Sequence, residues 1–110
     1  MATTYKILGQ AAPDDTSNAD LYTVPSATQA VISNIHIANV TAAAVAAKVY
    51  VVPAAGSASD ANIFVPDSPI TANGFLSLTV GITLGAGDKL VVRSATGAAL
   101  TFHAFGSEVA

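Results

Sequence analysis

The sequence predicts an all-β fold: two antiparallel sheets packed face to face as a sandwich, with about eight strands in a jelly-roll or immunoglobulin-like topology. Apolar and polar residues alternate with a period of two along most of the chain, which is typical of strands with one buried face. Turn residues separate the alternating segments at regular spacing. The connections are too short for the helical crossovers that parallel strands require, so the sheets should be antiparallel.

Residues 5–8 and 21–24 are short apolar segments on either side of a loop rich in Asp and Ser. We treat residues 1–20 as an N-terminal arm, or as a first strand followed by a loop, and residues 21–110 as the sandwich domain. As an arm, residues 5–8 would pair with the sheet edge of a neighbouring subunit. As a first strand, they would join this chain's own sheet.

Clear alternation marks the next strand, at residues 31–40. Val31, Ile35 and Ile37 share one parity and are expected to face the core.

The following segment, residues 45–51, alternates in the same way. A helix over residues 42–47 would suit the alanines there. A strand is the better interpretation, because β-branched residues follow at once and Pro53 ends the segment.

Four further strands complete the prediction, and Asn73-Gly74, residues 85–88 and Thr96-Gly97 supply the turn chemistry between the later ones. These strands are residues 63–65, 75–80, 90–93 and 100–105.

Charge is scarce: the chain is 52% hydrophobic and 10% charged, whereas a soluble surface carries roughly 25–35% charged residues. We therefore expect much of the exterior to contact other protein. A net charge of −3 from scattered Lys and Arg argues against a nucleic-acid partner. No segment is long and apolar enough to cross a membrane, and the absence of Cys excludes disulfides and thiolate metal sites.

Tyr50, Phe75 and Phe105 fall on the parity opposite the presumed core, and exposed aromatic side chains of this kind anchor interfaces. Alternatively, a second sheet and loops bury both faces. With the apolar segment near the start of the chain, the candidate protein-interface residues are Tyr5, Ile7, Leu8, Tyr50, Phe75 and Phe105.

Reactive side chains form no recognisable site. His36 and His103 lie on the polar parity of strands, without a nucleophile motif beside them. Asp14, Asp15 and Asp20 could offer oxygen ligands to calcium, but a solvated turn explains them better. We predict no enzyme activity, no catalytic or metal site, and no cofactor.

A further pattern runs through nine segments of the chain: 21–25, 30–32, 38–39, 51–53, 56–57, 76–78, 81–84, 86–88 and 102–109. In these segments the chain resembles small structural proteins of tailed bacteriophage particles, and the resemblance extends from about Leu8 onward. It implies a virion component with a sandwich or jelly-roll fold, present in many copies. Phe105 stands where the resemblance leads us to expect a smaller residue.

The preferred function is a capsid decoration or cement protein that bridges and stabilises capsid subunits in the virion. Its partners would be the major capsid protein or other virion proteins, and further copies of itself as a homodimer or homotrimer. The alternative is a tail-associated or fibre-associated adhesion module, in which Tyr22, Tyr50 and Phe75 stack on host surface glycan.

Overall fold

Eight strands and one short 3-10 turn make up the computed structural model, which describes residues 2–110. The 3-10 turn, Asp60–Asn62, leads directly into the fifth strand. The strands are β1 (Thr3–Ala11), β2 (Ala19–Thr23), β3 (Gln29–Asn39), β4 (Val45–Val52), β5 (Ile63–Ile70), β6 (Phe75–Leu84), β7 (Lys89–Ser94) and β8 (Leu100–Val109).

The strands form two four-stranded sheets in which every neighbouring pair is antiparallel. Sheet 1 has the order β1-β8-β3-β6, and sheet 2 has the order β2-β7-β4-β5. Successive strands alternate between the sheets, except that β4 and β5 are neighbours in sheet 2. This order is that of a jelly roll and not of an immunoglobulin domain. The predicted eight-stranded antiparallel sandwich is confirmed.

The core lies between the sheets and is built from the alternating residues of both. Phe102 and Ile35 from sheet 1 and Val49 and Leu90 from sheet 2 are fully buried. In β6 the alternation is regular along the strand, with Leu84 buried at its end. The predicted strand at 45–51 is also confirmed, since β4 begins at Val45 and no helix forms at the alanines.

A β-bulge in β3 changes which face its side chains occupy. Ser33 is an extra residue opposite β8, where Ile32 pairs with Gly106 and Asn34 pairs with Phe105. The parity of β3 therefore reverses at Ser33: Ile32 faces the core before the bulge and Ile35 after it. The expectation that Val31 shares the core face with Ile35 is wrong, because Val31 lies before the bulge and is 39% exposed.

A second bulge lies on the other side of β8, in β1. Leu8 is the extra residue between Ile7, which pairs with Phe105, and Gly9, which pairs with Ala104. Leu8 packs against the core. A Cβ on Gly9 would overlap the Leu21 carbonyl of β2, so glycine allows the two sheets to approach closely there.

β1 pairs with β8 along its length, so residues 5–8 lie in this chain's own sheet. The pairing continues to the chain ends: Ala2 N–H donates to the Ala110 carbonyl at 3.1 Å, and Ala110 N–H donates to the Ala2 carbonyl at 3.0 Å. Both ends of the described chain therefore meet at one corner of sheet 1.

Asn39, at the end of β3, is a buried polar residue whose side chain is fully paired. Its Nδ2 donates to the carbonyls of Ala43 (2.8 Å), Ile70 (3.0 Å) and Thr71 (3.2 Å), and its Oδ1 accepts from the N–H and hydroxyl of Thr41. The amide thus ties the end of β3 in sheet 1, and the connection from β3 to β4, to the end of β5 in sheet 2.

The bulge in β3 requires glycine at position 106, because a Cβ there would overlap the Val31 carbonyl. We expect Gly106→Ala to lower the free energy of unfolding by about 1–3 kcal/mol, as overpacking does elsewhere. Gly81→Ala is the matched control, since a Cβ on Gly81 meets no atom within 4 Å; it should change stability by less than about 1 kcal/mol. Urea unfolding measures both, and equal effects would contradict this role of Gly106.

Candidate interaction surface

The outer face of sheet 1 carries no Lys, Arg, Asp or Glu side chain within the described residues. The strand registers place alternate residues of all four strands on this face. They are small polar, amide, imidazole, aliphatic and aromatic side chains. The face consists of Thr3, Tyr5, Ile7, Gln10, Gln29, Val31, Ser33, Asn34, His36, Ala38, Phe75, Ser77, Thr79, Gly81, Thr83, Thr101, His103, Phe105, Ser107 and Val109.

Sheet 1 contains two charged residues, Lys6 and Glu108, and both lie on the inward parity. Lys6 Nζ lies 2.8 Å from Glu108 Oε1, and the Tyr22 hydroxyl of sheet 2 donates to Glu108 Oε2. The hydrogen bonds from Lys6 and Tyr22 hold the pKa of Glu108 below its ordinary value. Burial and the bond to Glu108 raise the pKa of Tyr22. The charges of sheet 1 are thus paired away from its outer face.

Large apolar side chains are exposed on the outer face of sheet 1. The exposed fractions are 84% for Tyr5, 68% for Phe75, 55% for Ile7 and 39% for Val31. Exposed apolar side chains gathered on one face, rather than scattered singly, are the pattern that marks an interaction surface.

Four rings on β6, β3 and β8 form a continuous band on this face, which we call the ring band: Phe75, His36, His103 and Phe105. Phe75 stacks on His36 with ring centroids 5.0 Å apart, the two imidazoles are 6.0 Å apart, and His103 stacks on Phe105 at 5.9 Å. Gln10 Nε2 donates to His103 Nδ1 at 3.0 Å, so the band is joined to β1. Alternation alone predicts that both histidines lie on the polar face of their strands. The register of β3 against β8, which alternation does not give, places His36 directly opposite His103.

The predicted interface residues do not all lie on this surface. Tyr5, Ile7 and Phe75 are exposed there, and Phe105 is half-buried within the ring band. Leu8, another candidate interface residue, points inward at the bulge of β1 and packs against the core, so it does not lie on this surface.

Tyr50, the remaining candidate interface residue, is 6% exposed and does not lie on a free surface. Its ring points away from the core, as its parity predicts, but the chain after β4 folds over it. Tyr50, Val52 and Val91 form a second small cluster against Ala58 and Ile63. The alternative in which loops cover an outer face is therefore correct for this end of sheet 2.

Tyr22 is buried in the main core, at 8% exposure. Tyr22, Tyr50 and Phe75, the three rings suggested for glycan stacking, therefore do not share a surface.

The outer face of sheet 2 has the opposite character, because it is charged. Lys48 Nζ lies 3.7 Å from Asp67 Oδ2, and Lys89 Nζ lies 3.6 Å from Asp20 Oδ1. Arg93 Nε donates to the Thr16 carbonyl at 2.7 Å. The two outer faces of the sandwich therefore offer quite different surfaces to water and to partners.

Two of the three carboxylates weighed as calcium ligands, Asp15 and Asp20, are engaged in local contacts. The Asp15 carboxylate accepts from the N–H and hydroxyl of Ser17, a turn interaction that lowers the pKa of Asp15. Within residues 2–110, no group of three His, Asp or Glu side chains is placed to hold a metal ion. The same residues include no helix of the length and apolarity needed to cross a membrane.

The fold is similar to that of chains in two virus structures. It matches a chain of the acidic stable capsid structure of Helicobacter pylori bacteriophage KHP30 with a TM-score of 0.58 and 9% identity, over 99% of this chain and 98% of that chain. It also matches a chain of infectious bursal disease virus, Gx strain, with a TM-score of 0.52 and 11% identity. That match covers 96% of this chain but spans 31% of the longer one. No protein-family model and no curated protein matches the sequence.

We expect the stabilising effect of the Glu108 carboxylate to depend on pH. Because its folded pKa lies below the ordinary value of 4.5, its contribution is present above that value and is lost as the pH falls through the folded pKa. Glu108→Gln should therefore lower the free energy of unfolding at neutral pH, and its difference from the wild type should shrink on acidification. Asp60→Asn, at an exposed carboxylate on the 3-10 turn, is the control. A difference that stays constant down to acid pH would contradict the role of Glu108.

Proposed function

We propose that this chain is a non-enzymatic structural protein of a virus particle, and specifically a decoration or cement protein on a phage capsid. In this role the outer face of sheet 1 docks onto capsid subunits. The observation that carries the proposal is the four-stranded outer face without a Lys, Arg, Asp or Glu side chain, in a chain whose other outer face is charged.

The composition of this face lowers the cost of docking. Burying an ionised side chain is expensive unless it is paired, and this face has none. Tyr5, Ile7 and Phe75 offer apolar area to bury, worth roughly 25 cal/mol per Å² removed from water. Amide and imidazole groups between them can satisfy polar groups of a partner. The face is thus suited to protein contact across most of its width.

The fold supports the same proposal. Double-sheet jelly rolls are common in viral capsids, and the KHP30 capsid structure contains a chain of nearly the same length and fold. A decoration protein is present in many copies, so weak contacts at each site add up through avidity. Bridging neighbouring capsid subunits would make those subunits harder to separate.

Adding charge to the docking face should weaken capsid binding. We expect the double variant Tyr5→Lys, Ile7→Lys to bind capsids stripped of this protein at least about tenfold less tightly than the wild type, because two lysines would have to be desolvated. Co-sedimentation with the stripped capsids measures the affinity. The matched control is Phe64→Lys, Val40→Lys, two exposed apolar residues that lie off this face.

Equal losses in the two double variants would argue against docking through the outer face of sheet 1. Binding to a glycan array, without binding to capsids, would instead favour a tail-associated or fibre-associated adhesion module.

A cement role also predicts a change in the particle itself. Capsids that lack this protein should lose their contents at a lower temperature and under milder osmotic shock than complete capsids, and adding back the purified protein should restore resistance. The fluorescence of a nucleic-acid dye during heating measures the temperature at which the packaged nucleic acid is released. Equal resistance of stripped and complete capsids would contradict the cement role.

A further inference from the structure

The two sheets have four edge strands, and three of them carry features that oppose pairing with another strand. β5 contains Pro66 and Pro69, with Asp67 between them at a positive φ of 39°. Prolines cannot donate a backbone hydrogen bond and are typical of protected edges. β2 has five residues, one of them the charged Asp20. β1 carries the Leu8 bulge and the inward-pointing Lys6.

The fourth edge strand, β6, has none of these features apart from a register shift against β3. It runs for ten residues, Phe75–Leu84, without a proline or a charged residue. Within the described chain its backbone pairs with β3 alone, on one side. The other side therefore presents a row of unpaired N–H and C=O groups, which is a template for a further strand.

The side chains of β6 indicate that this edge is incompletely covered. Four of its inward-facing residues pack against the core but are only half-buried, whereas the inward residues of β3, and Leu100, Phe102 and Ala104 of β8, are buried. A strand added at this edge would extend the sheet and cover them further. These residues are Leu76, Leu78, Val80 and Ile82.

We propose that the strand that binds at this edge is β6 of a second copy, paired antiparallel across a twofold axis. Antiparallel self-pairing centred on Thr79 or on Val80 places outward residues opposite outward residues and inward opposite inward, because β6 alternates without interruption. Neither register brings like charges together, since the strand has none. The pattern of β6 is thus complementary to itself.

Self-pairing of this kind has a geometric consequence. A twofold axis perpendicular to the sheet joins two copies of sheet 1 into one eight-stranded sheet, with both outer faces on the same side. The dimer would present a continuous uncharged surface of twice the width. The inference does not depend on what that surface binds, because it concerns the free protein.

Charged substitutions near the twofold axis test the self-pairing of β6. Thr79 is exposed on the outer face, and in either register it lies opposite Thr79 or Gly81 of the other copy. In sedimentation velocity, we expect the wild type to form a dimer, and Thr79→Lys and Thr79→Glu each to weaken it several-fold by like-charge repulsion. An equimolar mixture of the two variants should restore dimerisation. Thr3→Lys and Thr3→Glu, exposed on the opposite edge of the same sheet, are the matched controls.

Circular dichroism and the unfolding temperature establish that the Thr79 variants remain folded. Hydrogen exchange of the β6 amides gives an independent readout, since self-pairing should slow it as the protein concentration rises. A wild type that stays monomeric into the millimolar range, or a dimer that both Thr79 variants leave intact, would overturn the inference. The Tyr5→Lys, Ile7→Lys variant should still dimerise, so failure of capsid docking and failure of self-pairing are separable results.

Discussion

The two bulges on either side of β8 determine which side chains reach the outer face of sheet 1. Each inserts one residue: Leu8 of β1 lies opposite the step from Ala104 to Phe105, and Ser33 of β3 lies opposite the step from Phe105 to Gly106. Because side chains alternate along a strand, one inserted residue exchanges the two faces for everything beyond it. Without Ser33, β3 could not hold Ile32 and Ile35 both in the core while it pairs with β8. The missing side chain of Gly106 makes room for this arrangement.

The strands could be predicted from the sequence because alternation and turn chemistry are local, and all eight are present. The errors arise where a distant part of the chain intervenes. Val31 was assigned to the core face because a bulge leaves no mark in the alternation. Tyr50 was a candidate interface residue because its parity is outward, but the loop that covers it lies further along the chain. The ring band depends on strand register, and the hydrogen bonds of the Asn39 amide depend on contacts between connections. Local patterns encode neither.

The few charged residues of this chain are distributed unevenly between the two sheets. Sheet 2 and the connecting loops hold most of the ionised side chains, and its outer face carries ion pairs at Lys48 and Lys89. The two charged residues of sheet 1 are paired with each other at the end of the sandwich. The charged outer face is therefore the one suited to water, and the uncharged outer face is the one that we propose for docking. Composition alone predicted contact with other protein, but it could not say which side.

The meeting of the chain ends has a practical consequence for engineering. Ala2 and Ala110 exchange two backbone hydrogen bonds at one corner of sheet 1, so a segment joined before Ala2 and a segment joined after Ala110 would leave the sandwich at the same place. A segment joined before Ala2 pulls on β1, which is an edge strand, whereas a segment joined after Ala110 pulls on β8, which lies inside the sheet. The position of the added segment is the same in both cases. Since β8 is held on both sides, a pulling force should detach β1 first.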